Sequence, residues 1–156
     1  MRYLILGAGA LGGYFGAKLI EGGADVTFLV RPKRAAQLQR DGLIVKAQDG
    51  EIRTQAKTIR QGQVDGSYDV VLLSCKAYDL DDAIRAVAPA MGDQSVVLPL
   101  LNGVRHIDVL TETFGPQRVL GGFTIINASL MPDGTIQQSA LRINIAELSK
   151  NRPRAL

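Results

Sequence analysis

Six residues near the start of the chain, Gly7-Ala8-Gly9-Ala10-Leu11-Gly12, place glycines at a spacing that lets a backbone grip an anion. Gly7 permits a tight turn, Gly9 lets the backbone approach a pyrophosphate, and Gly12 lets a helix sit close to a sheet. A helix opening at Ala10 and Leu11 offers free amides and partial positive charge to phosphates. The spacing alone is weak evidence, because ordinary turns also produce it. Its context is stronger: the apolar run Tyr3–Leu6 precedes it and a helical period follows.

The next residues able to select a ligand are Arg31, Lys33 and Arg34, some 20 positions on. A dinucleotide site for NAD usually ends its second strand in Asp or Glu, which accepts from the adenosine ribose. Here the strand Val26–Val30 runs into Arg31, and Asp25 lies at its opposite end. A guanidinium holds a 2′-phosphate through paired hydrogen bonds, so NADPH is the expected cofactor over NADH. A solvated basic turn is the plainer alternative. A flavin site is disfavoured by the same missing acid.

Three further features follow predicted strands, where open α/β sheets bind ligands. Lys76 comes after Val70–Leu73, although isolated lysines there are commonly solvated loop residues. Asn102 precedes Gly103 after Ser95–Leu100; its amide suits a substrate carboxylate or hydroxyl, and Asn-Gly also simply makes turns. Gly121-Gly122 suggests close approach of a ligand or helix, or a bulge. His106 is expected to be an exposed or capping residue rather than an acid catalyst. Cys75 has no histidine at an activating spacing, and Asp81 with Asp82 reads as helix-start charge.

These residues need a scaffold, and the patterning supplies one. Tyr3–Leu6, the helix Ala10–Glu21 ended by Gly22-Gly23, and Val26–Val30 complete a β-α-β unit. Gly12 and Gly16 share the helix face that would meet the sheet. A short helix is expected over Arg34–Arg40, and a hairpin of Leu43–Ala47 with Glu51–Thr58 around Asp49-Gly50 would cap an edge of the parallel sheet. Helices are expected over Asp79–Ala90 and from Asn102-Gly103 to Phe114. Strands are expected over Val119–Ile126 and Leu141–Ile145, with Asp133-Gly134 turning between antiparallel partners. The fold class is α/β: a doubly wound, Rossmann-type, mostly parallel sheet with antiparallel additions.

Composition narrows the function classes. An apolar fraction of 46% with 21% charged residues is that of an ordinary globular domain. No apolar run reaches membrane-spanning length, and no secretory leader pattern opens the chain, so a cytoplasmic protein without a membrane partner is expected. A net charge of +3, no tryptophan and no long basic stripe argue against nucleic acid. One cysteine and one histidine exclude an internal disulfide and make a structural zinc site a poor expectation.

Together the pieces resemble the ketopantoate reductase family, the 2-dehydropantoate 2-reductases. The resemblance is carried by Gly7-Ala8-Gly9-Ala10-Leu11-Gly12-Gly13, the Arg31 turn, Cys75-Lys76-Ala77, Leu101-Asn102-Gly103-Val104 and Gly121-Gly122, in order across nearly the whole chain. It implies NADPH-dependent reduction of a small 2-keto acid, 2-dehydropantoate, to pantoate in pantothenate biosynthesis. It implies Gly7, Gly9 and Gly12, with Ala10 and Leu11, at the pyrophosphate and Arg31 at the 2′-phosphate. Lys76 would lie beside the cofactor and active-site cleft, and Asn102 on the cofactor–substrate side. One departure falls at residues 134–138, where many members carry a histidine and this chain has none.

The resemblance also implies a following all-helical domain that holds a general-acid lysine and a substrate-binding serine and glutamate. The expected division is therefore 1–149 as NADP-binding domain and 150–156 as linker or start of that missing domain. The chain is then either one domain of a longer protein or a naturally short relative, nearly inactive alone. Self-association through the face a helical domain would cover makes a homodimer compatible with this reading. The competing reading is a non-catalytic dinucleotide-binding module or redox sensor.

Overall fold

The computed structural model describes residues 1–121 and 125–142, with the side chains of residues 140–142 left aside. The first β-α-β unit forms where expected: β1 (Arg2–Leu6), α1 (Ala10–Glu21) and β2 (Asp25–Leu29). Next come α2 (Pro32–Asp41), β3 (Leu43–Ala47), β4 (Gly50–Thr54) and β5 (Lys57–Ile59). β6 (Tyr68–Leu73), α3 (Leu80–Val87), β7 (Met91–Pro99) and α4 (Arg105–Phe114) continue the alternation, and β8 (Ile125–Leu130) and β9 (Ile136–Arg142) follow. Pro32 opens α2 at the position where its missing N–H costs nothing. Pro89 falls in a short 3₁₀ turn after α3, because proline cannot continue the α-helical ladder.

Two sheets result. The first has order β5-β2-β1-β6-β7, and all its pairs are parallel. The second has order β4-β3-β9-β8: antiparallel β3–β4 and β8–β9 pairs joined by a parallel β3–β9 contact. Leu4 and Ile5 are adjacent and fully buried, and they point into different cores. Ile5 joins Tyr14, Phe28, Leu38, Val45 and Ile136 between the sheets. Leu4 joins Val71, Val87, Val97 and Leu110 beneath α3 and α4. Burial on both faces explains why β1 and β6 read as continuous apolar runs.

Helix α1 lies between the sheets. A side chain at Gly16 would come within 2.3 Å of Phe28 on the first sheet, and one at Gly13 within 2.2 Å of Ile136 on the second. A helix gripped on two sides needs little polar surface, which accounts for its apolar composition.

Two expectations are corrected here. The hairpin does not cap the parallel sheet; β3 and β4 cover the far side of α1, and the three-residue β5 takes the edge beside β2. The strand is interrupted at Gln55-Ala56, so Glu51–Thr58 is two strands belonging to different sheets. The late strands are shifted as well. The Asp133-Gly134 turn is tight, with Gly134 N–H donating to the Met131 carbonyl at 2.9 Å, and Leu130 pairs with Ile136 directly across it. β9 therefore starts well before Leu141, and Val119 makes only a single parallel bridge to Val97. Gly122, the end of the expected Leu141–Ile145 strand, and 150–156 lie outside the described residues.

Candidate functional site

The parallel sheet reverses its winding between β1 and β6, and crevices of this fold open at that point beyond the carboxyl ends of the strands. A cleft of about 920 Å³ lies there. It is bounded by the loops after four neighbouring strands: Gly7–Gly9 after β1, Arg31 after β2, Arg60 after β5, and Ser74–Lys76 after β6. Parallel pairing makes this convergence unavoidable, because it brings all four loops to one edge.

The glycines are explained by their surroundings. Gly7 has φ +92°, in the left-handed region where other residues are strained, and its N–H donates to the Leu29 carbonyl at 2.9 Å. A Cβ on Gly12 would stand 2.2 Å from the Gly7 carbonyl oxygen and 2.4 Å from Ser74 Oγ, so only glycine lets α1 come this close. Gly9 differs: a Cβ there meets nothing within 4 Å, although the residue lines the cleft. The fold itself therefore places no steric demand on position 9. Ser74, unremarked in the sequence, hydrogen-bonds the Leu6 carbonyl at 2.8 Å and fastens the end of β6 to that of β1.

The basic cluster divides its work. Arg31 is exposed, precedes the first turn of α2 and faces the cleft. Arg34, grouped with it by sequence, is half-buried. Its Nε donates to the Ala8 carbonyl at 2.9 Å, and Nη1 to Gln37 Oε1 at 2.7 Å and the Gly134 carbonyl at 3.1 Å. Burial pushes its pKa down from the ordinary arginine value, though a guanidinium stays cationic. Arg60 was missed because a single arginine after a three-residue strand carries no pattern. Pairing places it: Val30 N–H donates to the Ile59 carbonyl at 3.0 Å, so Arg60 and Arg31 leave adjacent strands on the same edge. Among the described residues the carboxylates lining the cleft are Asp79 and Asp82, both in the segment after β6, and none lines it at the β2 end.

Lys76 is exposed on the cleft, its ammonium 5.9 Å from the centroid of the exposed Tyr78 ring. Asn102 is exposed at the end of β7, the strand next to β6, and Leu100 N–H joins these ends by donating to the Leu73 carbonyl at 2.8 Å. Asn102 shares the edge with Lys76 but does not line the cleft, nor do Ala10, Leu11 and Gly12. Cys75 lines it half-buried; burial pushes its thiol pKa up, and the Asp79 charge acts in the same direction, which disfavours a nucleophilic thiolate. His106 corrects the expectation of an exposed or capping residue. It is 5% exposed in the first turn of α4, and burial lowers its pKa, keeping the imidazole neutral.

The family described as ketopantoate reductase PanE/ApbA matches residues 3–150. An uncharacterized oxidoreductase, YkpB of Bacillus subtilis, is 42% identical over 140 residues, covering 90% of this chain and 46% of the relative. The crystal structure of 2-dehydropantoate 2-reductase from Geobacter metallireducens superposes with a TM-score of 0.87 at 30% identity, covering 97% of this chain and 51% of that one. D-mandelate dehydrogenase, solved with NADH and anilino(oxo)acetate, gives a TM-score of 0.81 at 28% identity, covering 90% and 46%. The chain thus spans about half the length of the proteins it matches.

Proposed function

Since this chain belongs to the ketopantoate reductase PanE/ApbA family, we propose that it forms the NADPH-binding part of an enzyme reducing a small 2-keto acid, with 2-dehydropantoate as the first candidate. One observation carries the cofactor choice. The cleft ends over β2 and β5 in two exposed arginines, Arg31 and Arg60, and among the described residues no carboxylate lines it there. A ribose bearing only hydroxyls would find no acid acceptor at that end, whereas a 2′-phosphate would find paired donors.

The other residues fit the same ligand. Gly9 leaves open space beside the α1 N-terminus, where a pyrophosphate can meet backbone amides. Bound there, the dihydronicotinamide supplies the hydride. The chain's own residues bind and orient. Gly7, Gly9, Ala10, Leu11 and Gly12 shape the phosphate cradle, and Lys76 offers three donors on the β6 side for a carboxylate or a developing oxyanion. Asn102, one strand further, would reach the substrate side. The proton donor and the wall that excludes water are assigned to a helical domain following this one. Among the described residues no helix is long and apolar enough to cross a membrane, and we place the protein in the cytoplasm, where a free Cys75 and NADPH are both at home.

A second reading, an NADH-dependent dehydrogenase of 2-hydroxy acids, draws support from the D-mandelate dehydrogenase likeness. Fluorescence titration of the full-length protein separates the two. NADPH should bind more tightly than NADH, and Arg31→Ala should cost NADPH roughly ten- to hundredfold while leaving NADH nearly unchanged. Equal affinities in the wild type would overturn the NADPH assignment. Oxidation of NADPH with 2-dehydropantoate, beside other 2-keto acids, tests the substrate; no turnover of 2-dehydropantoate would remove it as first candidate.

A further inference from the structure

Arg34 is cationic, half-buried, and held entirely by neutral groups. Its acceptors are the Ala8 carbonyl, the Gln37 amide oxygen and the Gly134 carbonyl, and no carboxylate pairs with it among the described residues. Its Nη2 is buried with no hydrogen-bond partner among the described residues. Leaving a charged donor unmatched is costly, so a surface solubilising role does not explain the residue. A purely architectural tie between α2 and the β8–β9 turn does not need a charge either. Gln37 already makes one, with Nε2 donating to the Asp133 carbonyl at 2.9 Å.

The bond to Ala8 is the informative one. A trans peptide points its carbonyl and its N–H in opposite directions. Holding the Ala8 oxygen therefore fixes the direction of the Gly9 N–H, and Gly9 lines the cleft. Arg34 itself lines the cleft beside Ala8 and Gly9, so its guanidinium places positive charge next to this peptide, where an anion in the cleft would feel it.

We propose that Arg34 is a positioning residue of the dinucleotide site: it orients the Ala8–Gly9 peptide and charges the floor beneath the pyrophosphate, while Arg31 acts at the 2′-phosphate. The inference rests on the dinucleotide reading above, and the two are separable. Arg34 serves the group that NADPH and NADH share; Arg31 serves the group that distinguishes them.

The test titrates full-length wild type, Arg34→Ala and Arg31→Ala with NADPH, NADH and adenosine 2′-monophosphate, well below the melting temperature. Arg34→Ala should weaken NADPH and NADH by the same factor, about tenfold or more, and leave adenosine 2′-monophosphate unchanged. Arg31→Ala should do the reverse, losing adenosine 2′-monophosphate and the NADPH preference. Arg34→Lys, which keeps the charge but gathers its donors on one nitrogen, should recover part of the loss. If Arg34→Ala does not fold, Gln37→Ala frees one guanidinium contact and should give a smaller loss with the same pattern. A loss confined to NADPH would make Arg34 a direct 2′-phosphate ligand and overturn the proposal. So would unchanged affinities, or a loss extending equally to adenosine 2′-monophosphate, the mark of a general structural effect. Wild type that binds neither dinucleotide would instead sink the reading underneath.

Discussion

Replacing Gly12 by alanine separates the role of packing from that of ligand approach. The added carbon would stand 2.2 Å from the Gly7 carbonyl oxygen and 2.4 Å from Ser74 Oγ. Ser74 can rotate, at the expense of its bond to the Leu6 carbonyl, but the Gly7 oxygen belongs to the backbone of the turn. Ordinary contact distances then require α1 to retreat by about 1 Å. Overpacking of this kind costs about 1–3 kcal/mol. Alanine returns about 1 kcal/mol of helix propensity, which is too little to reverse the sign when the clash is with backbone. At about 2–4 °C per kcal/mol for a domain of this size, the melting temperature should fall by several degrees. Dinucleotide affinity should fall too, since the N-terminus of α1 moves with the helix. Gly9→Ala is the counterpart. Its Cβ meets no protein atom within 4 Å, so stability should change by no more than about 1 kcal/mol, the difference between glycine and alanine at an N-cap, while affinity drops sharply. Thermal melts and fluorescence titrations of both variants supply the readouts. A Gly12→Ala protein with wild-type melting and affinity would refute the packing argument, and a Gly9→Ala protein with wild-type affinity would refute the ligand argument.

Lys76→Ala should weaken cofactor or keto-acid binding and leave the melting temperature within about 1 °C, because the side chain is exposed; identical binding curves would return Lys76 to the loop surface. Buried His106 makes stability depend on pH. Its folded pKa lies below the ordinary value of about 6.5, so the contribution is complete above that pH and is lost as pH falls through the window beneath it. His106→Leu should flatten the dependence of the urea midpoint on pH below about 6.5, and an equal slope in both proteins would count against burial as the cause.

What could be read from the chain beforehand follows the range of each signal. β1, the glycine turn, α1 and β2 are local, each punctuated by its own glycines, and they form as expected. The cleft itself was legible because a parallel β-α-β unit must bring its loops to one edge. β5 was not, since three residues hold no periodicity and its partners in β2 lie 30 residues back. The second sheet escaped for the same reason: Val45 pairs with Ile136, 91 positions away, and nothing near either residue announces the other. Arg34 looked like Arg31 because its acceptors are the carbonyls of Ala8 and Gly134, groups that every residue offers. His106 was misjudged since burial there depends on distant packing, while its local setting was only the first turn of an amphipathic helix.

The place of β9 also orders the birth of the molecule. This strand is the last described in the sequence, yet it sits in the interior of its sheet between β3 and β8. As the polypeptide leaves the ribosome, the β3–β4 hairpin is complete more than 80 residues before the strand that will lie beside it. Until Ile136 arrives, one edge of β3 has open hydrogen-bonding groups and the Gly13 side of α1 lacks its cover. The nascent protein thus carries an unsealed flank while more than 80 further residues are made, and the late parallel pairing that closes it is the long-range, slow-forming kind of contact.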